Sequence, residues 1–387
     1  MGAAFSFKGV PDMGRSRIAA LAAVAACLVL HRRKLGALLG NPWVLLFLAL
    51  VFGSSMATAL TNSDLAIQGI VTLPGMRAYD GLSLFVGQAL DLAVPFVLGL
   101  ALFRTERDLR FLQRALVVAA LAYTLPILFE LRMSPQIHLQ LYGYAPHSFA
   151  QHVRSGGGYR PMVLMGHGLA VSMFLASAVI AAVALWRARL PVWRGVPAAP
   201  AAAYLFVILV LSKSWAPVVY ATAAAALILL TGPRVRIAVA AALTLFVILY
   251  PALRTLDWVP TERMIETAGS LSTERAESLE FRFDNEGRML ERAHERIWFG
   301  WGTWGRNRVF DPTWGHDTTI VDGMWIISVS SFGVVGFAIR FALAVIPIWI
   351  LAAYQGGIRS RASRALLSAL ALMLAFRSVD LVPNADY

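Results

Sequence analysis

Runs of about twenty consecutive apolar residues recur along this chain, and they constrain its fold more than any other feature. A helix rising about 1.5 Å per residue needs about 20 such residues to cross the roughly 30 Å of bilayer hydrocarbon. Lipid offers no partners to backbone N–H and C=O groups, so only helices or closed barrels cross it. The runs are continuous Leu, Ala and Val without polar–apolar alternation, which selects helices. Composition agrees. The chain is 58% hydrophobic and only 14% charged, too little charge to cover a soluble domain of 387 residues. Spans are predicted at 17–30, 42–60, 81–103, 111–129, 161–186, 197–212, 216–232, 235–253, 334–354 and 365–383. The expected fold is all-α: one polytopic integral membrane domain over 1–387, with ten transmembrane helices and an extracytoplasmic loop region at 254–333.

The formal charge of +12 does not indicate a nucleic-acid partner, because the basic residues sit in short loops between spans rather than in one patch. Their distribution instead sets an orientation. Loop 31–41, segment 104–114, loop 187–194, the turn at 233–236 and loop 355–364 together carry fifteen Lys and Arg. The intervening short loops carry only Arg77, Arg132, Arg154, Arg160 and Lys213. The basic side is therefore expected to be cytoplasmic, which puts the long segment 254–318 outside. Its nine Arg do not bear on this, since long loops are exempt from the charge rule. Both termini then fall outside, although the N-terminal tail carries Lys8, Arg15 and Arg17. One further span at each end would reconcile the tail with the rule; alternatively, 17–30 does not cross and nine spans remain. The first apolar run ends in His31-Arg32-Arg33-Lys34, not in a small-residue cleavage site, so no signal peptide is expected. The single cysteine, Cys27, excludes a disulfide within the chain and a cysteine-cluster metal site.

Two outer segments carry residues suited to chemistry. Segment 130–160 holds His138, Tyr142, Tyr144, His147, His152, Arg154 and Gly156-Gly157-Gly158-Tyr159-Arg160, and leads into a span bearing His167. These residue types suit a sugar or a diphosphate headgroup; the competing explanation is an ordinary interfacial belt. In the second segment, 276–298 reads as an amphipathic helix with Leu279, Phe283, Leu290, Ala293 and Ile297 on one face. Its other positions mix Arg282, Arg288, Arg292 and Arg296 with acidic residues, and Asp284–Arg288 has the spacing of a solvated i,i+4 pair. Arg282 and Arg288 lie about 120° apart around a helix and reach one ligand only if the helix breaks, as at Gly287. A Gly/Trp loop follows, Phe299-Gly300-Trp301-Gly302-Thr303-Trp304-Gly305-Arg306, then His316, Asp317 and Asp322. Within the spans, Asp91, His167, Arg340 and Arg377 are ionisable; Asp91 and His167 are candidates for a cavity or a partner, and Arg340 for snorkelling.

Three stretches resemble the O-antigen ligase and O-antigen or exopolysaccharide polymerase family of bacterial inner membranes. Arg160-Pro-Met-Val-Leu-Met-Gly-His167 is similar to that family's Arg and His at the head of a span. Arg282 through Phe299-Gly300-Trp301-Gly302 resembles its Arg, amphipathic helix and Phe-Gly-x-Gly. Asp322 through Gly333-Val-Val-Gly336 resembles its short helix ending in Gly-x-x-Gly, and Ser212-Lys213-Ser214 its Ser-x-Ser-Arg turn without the Arg. The likeness covers roughly 130–340. Ligases usually carry His followed by Asn eleven residues before the first Gly of Gly-x-x-Gly; here Asp322-Gly323 stands there, and the nearest His is His316. Family members typically have about twelve spans with both ends cytoplasmic.

The resemblance implies glycosyl transfer, by ligation or polymerisation, from an undecaprenyl-diphosphate-linked oligosaccharide to a polysaccharide acceptor. The reaction would take place on the outer face of the inner membrane, with no cofactor or metal. Such chemistry needs fixed cations for the departing diphosphate, which Arg160 and Arg282 would supply, with Arg288 in reserve. It also needs a general base for the acceptor hydroxyl: Asp322, or alternatively His316. His167, Arg154, Lys213, Trp301 and Trp304 complete the expected substrate-binding set. The rival is a transporter or flippase of lipid-linked sugars, which would show internal repeats, broken helices and paired charges within the membrane.

Overall fold

The computed structural model describes residues 11, 13–154, 157–320 and 322–385. Lys8 and Gly156, both singled out above, lie outside the described residues, and Arg15 is described in its backbone alone. The chain is 72% helical. Its helices are α1 (Arg15–Leu39), α2 (Pro42–Leu60), α3 (Ala78–Gln88), α4 (Val94–Leu102), α5 (Glu106–Met133), α6 (Ile137–Tyr142), α7 (Gly168–Arg187), α8 (Ala198–Leu211), α9 (Trp215–Leu230), α10 (Pro233–Thr255), α11 (Thr261–Leu271), α12 (Thr273–His294), α13 (Met324–Tyr354) and α14 (Arg361–Asp380).

Among the described residues, seven helices are long and apolar enough to cross a membrane: α2, α3 and α4 as one unit, α5, α7, α10, α13 and α14. This is a polytopic helical membrane protein. The expected spans 197–212 and 216–232 fold as α8 and α9, helices of 14 and 16 residues. These are about 21 and 24 Å long, short of the roughly 30 Å hydrocarbon layer. The expected span 17–30 lies in α1, which is not one of the seven. Its apolar stretch runs on into the basic residues Arg32, Arg33 and Lys34, across a kink at His31.

Local sequence explains where the helices begin. Asn41 accepts from the Trp43 amide ahead of Pro42, and Thr105 and Asp108 form a capping box on α5. His167 Nδ1 accepts from the Leu169 amide at 3.1 Å, so the span expected from residue 161 starts at Gly168. The last of the expected spans but one, 334–354, begins earlier, at Met324, because 324–332 is helical too. That helix is interrupted at Gly333, with φ 67° and ψ −173°.

The core centres on α7, which is enclosed by α5, α8, α9 and α14. Its Ala- and Ser-rich surface lets neighbours approach closely, as interfaces in lipid require. Ser172 Oγ bonds Ser212 Oγ at 3.0 Å and Ser214 Oγ at 2.8 Å, tying α7 to the α8–α9 turn. A second core joins α10, α12 and α13 around the fully buried Trp325. One small antiparallel hairpin, β1 (Ala66–Gln68) and β2 (Val71–Leu73), departs from the all-helical expectation. It docks on the long loop, where Gln68 Nε2 donates to Arg308 O at 2.9 Å and Ile70 N to Pro312 O at 3.2 Å.

Ionisable groups in the spans have partners. Asp91 sits in a π-helical turn, Ala89–Ala93, between α3 and α4. There it receives two bonds from Arg17, Nε at 2.9 Å and Nη2 at 2.7 Å. Arg17 is thus held by Asp91 rather than free in the N-terminal tail. Arg377 pairs at 2.9 Å with Asp380, whose carboxylate also accepts from Asn384 at 3.0 Å.

Candidate functional site

Arg282 and Asp322 come together. A cavity of about 260 Å³ opens where the ends of α10 and α14 meet the start of α13, with α12 across its mouth, and both residues line it. Arg282 Nε lies 3.7 Å from Asp322 Oδ2, and Arg282 Nη1 is 3.4 Å from Pro383 O. The amphipathic pattern of α12 explains its position: Met289, Leu290 and Ala293 are buried against the second core. The helix then points its preceding turns toward the cavity. Asn285 Oδ1 accepts from the Ile320 amide at 3.0 Å, which draws the approach to Asp322 onto α12. Gly323 follows because the C-terminal segment is too close for a side chain: a Cβ there would lie 2.4 Å from Val382 O.

The cavity holds a second carboxylate that nothing in the sequence distinguishes from other loop acids. Glu286 accepts from Arg254 Nε at 2.6 Å and from the Tyr250 hydroxyl at 3.3 Å. Burial pushes its carboxyl above the usual range, while Arg254 pulls the other way. The result is a pocket lined by two carboxylates, the Arg282 guanidinium and apolar walls, with Glu286 held by Arg254 from outside the lining.

A second cluster gathers Arg154, Arg160, His167 and Lys213, four residues expected to bind substrate, with His147 and His152. The His147 and His167 rings lie 4.8 Å apart, edge to face, and His152 is 6.2 Å from His167. Lys213 Nζ donates to Gly157 O, which fixes the turn closed by the Val153–Tyr159 bridge. The Arg160 amide donates to His152 O at 2.8 Å, and the Arg160 side chain packs on Gly168. Burial and the neighbouring cations keep His167 neutral, its pKa pushed down to about 3; burial also lowers His147 and His152. The α8–α9 turn lies level with Ser172, five residues or about 7 Å below His167 along α7. From there α9 runs about 10 Å to Tyr220, which lines the Arg282 cavity.

Glu130 builds this second cluster. Buried completely at the end of α5, it accepts from the amides of Ile137, Met162 and Val163 at 3.0, 2.8 and 2.7 Å. It thereby sets the course of the chain on both sides of Arg160. Its only mark in the sequence is a lone acid near the end of an apolar run.

The Gly/Trp loop has a different place. Trp301 is buried, with the Arg292 and Arg296 guanidiniums 3.3 and 4.3 Å from its ring and its Nε1 donating to Arg292 O at 2.7 Å. The Trp301 and Gly302 amides donate to Ser330 and Ser331 carbonyls at 2.8 Å, and Val334 N donates to Ile297 O at 2.8 Å. The loop backbone thus satisfies the helix break at Gly333. Gly300 and Gly333, both at positive φ, stand where a Cβ would meet the opposite backbone at 2.4 and 2.2 Å. Thr58 Oγ1 and Asn62 Nδ2 donate to the Phe299 and Gly300 carbonyls, binding the loop to the end of α2. Arg296, expected on a salt-bridged face, pairs with Asp64 of the α2–β1 segment at 2.5 Å and also donates to Thr61 O.

Other expected site residues stand apart. Helix α12 runs unbroken through Gly287, so Arg288 is exposed on another face and does not line the cavity. The Asp284–Arg288 pair is not among the ion pairs of the described residues. His316 is exposed and not in the cavity lining, and its carbonyl accepts from the Asp311 amide at 2.8 Å. Trp304 is exposed as well. Among the described residues, no three His, Cys, Asp or Glu side chains are grouped to hold a metal ion. Comparison with family models, curated proteins and solved structures finds no match to this chain.

Proposed function

We propose that this chain is a membrane glycosyltransferase that moves a lipid-diphosphate-linked oligosaccharide onto a saccharide acceptor, by ligation or by polymerisation of surface polysaccharide. The full proposal has ten spans, the two short helices and α1 included, in a bacterial inner membrane with 254–318 outside. One observation carries the reading. Asp322 and Arg282, the base and clamp expected from the sequence, face each other at 3.7 Å on a cavity at the ends of three spans.

The chemistry follows from that pair. The acceptor hydroxyl oxygen attacks the anomeric carbon and its proton passes to the Asp322 carboxylate. The anomeric C–O bond breaks, and the lipid diphosphate leaves with the bonding electrons, its charge met by Arg282. In the resting site Arg282 neutralises Asp322. A bound diphosphate would compete for that guanidinium and release the carboxylate as a base, so the donor would arm the site. Arg160, Arg154 and Lys213, in the second cluster, offer further cations for the same headgroup.

The rival transporter finds support in two features, the Arg17–Asp91 pair within a span and the helix break at Gly333. One assay separates the two. Purified full-length chain in proteoliposomes is given an undecaprenyl-diphosphate oligosaccharide and an acceptor, either lipid A core or excess donor, in the presence of chelator. A covalently extended saccharide is expected; translocation of the donor with no covalent product would favour the transporter.

A further inference from the structure

At the opposite end of α5 from Glu130 lies a groove of about 770 Å³ between that helix and the segment joining α7 to α8. Phe111, Ala115, Val118 and Ala119 form its apolar wall, Val192 and Trp193 the facing side, and Arg114 and Arg194 also line it. The facing segment is preorganised: the Val192 amide donates to Val196 O at 3.1 Å, and a bridge links Trp193 to Val196. Phe111 and Trp193 are about two-thirds exposed, as aromatic residues at a membrane interface are. Volumes of about 300–1,000 Å³ are typical of sites that enclose a small ligand.

The charges specify the ligand. Arg114 commits its Nε to Pro191 O at 3.0 Å; neither Arg114 nor Arg194 has a carboxylate within ion-pair distance among the described residues. Of the acids in the first turn of α5, Glu106 is held by Arg110, Ser360 and Ser363, and Asp108 accepts from the Arg104 and Thr105 amides and the Thr105 hydroxyl. An apolar groove on the flank of a membrane-crossing helix, with two uncompensated guanidiniums, suits acyl chains joined to a phosphodiester. We propose that this groove holds an anionic phospholipid of the surrounding bilayer. A zwitterionic lipid would set its own cation against the two arginines, and a free phosphate would leave the apolar wall uncovered. The groove also lies on the basic face that the charge rule assigns to the cytoplasm, where anionic lipids attract Lys and Arg.

Native mass spectrometry of the detergent-purified full chain tests it, with dioleoyl phosphatidylglycerol and dioleoyl phosphatidylcholine offered at equal concentration. Phosphatidylglycerol is expected to be retained in preference, by roughly fivefold for each arginine engaged. Arg194→Gln should reduce that preference by about fivefold. Ala119→Trp should abolish the retained phosphatidylglycerol with both arginines intact, by filling the groove. Arg194 and Ala119 are exposed, so neither change threatens folding. Equal retention of the two lipids, or a phosphatidylglycerol adduct unaffected by both substitutions, would overturn the proposal. So would retention of a polyprenyl phosphate in place of phosphatidylglycerol.

Discussion

Arg282 Nε lies 3.7 Å from Asp322 Oδ2, near enough for attraction yet too long for a hydrogen bond. Both side chains are more than a third exposed, at 39% and 35%. A solvated pair of this kind contributes little to stability. The two groups are therefore poised at a cavity mouth with little structural reason to be there.

Substitution should separate their roles. Asp322→Asn is expected to lower kcat by about 10²–10⁴-fold while leaving thermal unfolding unchanged, because it removes the proposed base and keeps the shape. Arg282→Lys and Arg160→Lys should lose most activity despite the retained charge, since an ammonium cannot present a bidentate fork. Initial rates of transfer from the lipid-diphosphate donor measure this, and wild-type rates in all three would remove the site.

Arg296 should behave in the opposite way. It bridges Asp64 and Trp301, so Arg296→Ala is expected to cost roughly 1–2 kcal/mol, a figure reduced because Asp64 is half exposed. The loss should appear in denaturant unfolding, with the Gly/Trp loop exchanging amide hydrogens faster. A variant as stable as wild type would mean that loop docking does not depend on the pair.

The histidine cluster predicts a pH dependence. His167 is depressed from the ordinary 6.5 to about 3, with His147 and His152 lowered too. The unfolded segment therefore binds more protons than the folded one between these values, so stability rises with pH there. The contribution is present in full above about pH 6.5 and is lost progressively as pH falls toward 3. Hydrogen exchange across 147–167, corrected for intrinsic rates, should quicken between pH 7.5 and pH 5. His167→Gln should flatten that change.

Glu130→Ala would leave three amides without their acceptor, two of them on the buried residues Met162 and Val163. At about 1–3 kcal/mol for each unsatisfied buried group, a destabilisation of several kcal/mol is the expected result. Chemical unfolding in mild detergent would register it.

Topology is tested at Thr313, which is exposed on the long loop. Cys27 is buried, so a cysteine at 313 should be the only group labelled by an impermeant thiol reagent. Labelling is expected once the outer barrier is opened and the inner membrane is intact. Labelling only after lysis would invert the orientation.

How much of this was written in the sequence depends on the range of the interaction. Helical crossing is a local property: twenty apolar residues in lipid have one way to satisfy their backbone, so α2, α5, α10 and α14 were legible from composition along the chain. The face of α12 was legible for the same reason, because a period of 3.6 residues assigned Leu290 and Ala293 to the core before any partner was known. Arg282 and Asp322 could be selected by chemistry and by their place in a resemblance, but not brought together, since forty residues separate them. Only the docking of α12 on α13 sets their distance. The same limit hid Glu286, Glu130 and Asp64, which differ from any surface acid solely through the Arg254, backbone and Arg296 groups that fold against them. Trp301 and Arg296 show the converse. Their residue types suit a ligand or solvent, yet the helix break at Gly333 claims the loop for itself, because backbone groups left unpaired at the break must find partners and those partners lie in the loop.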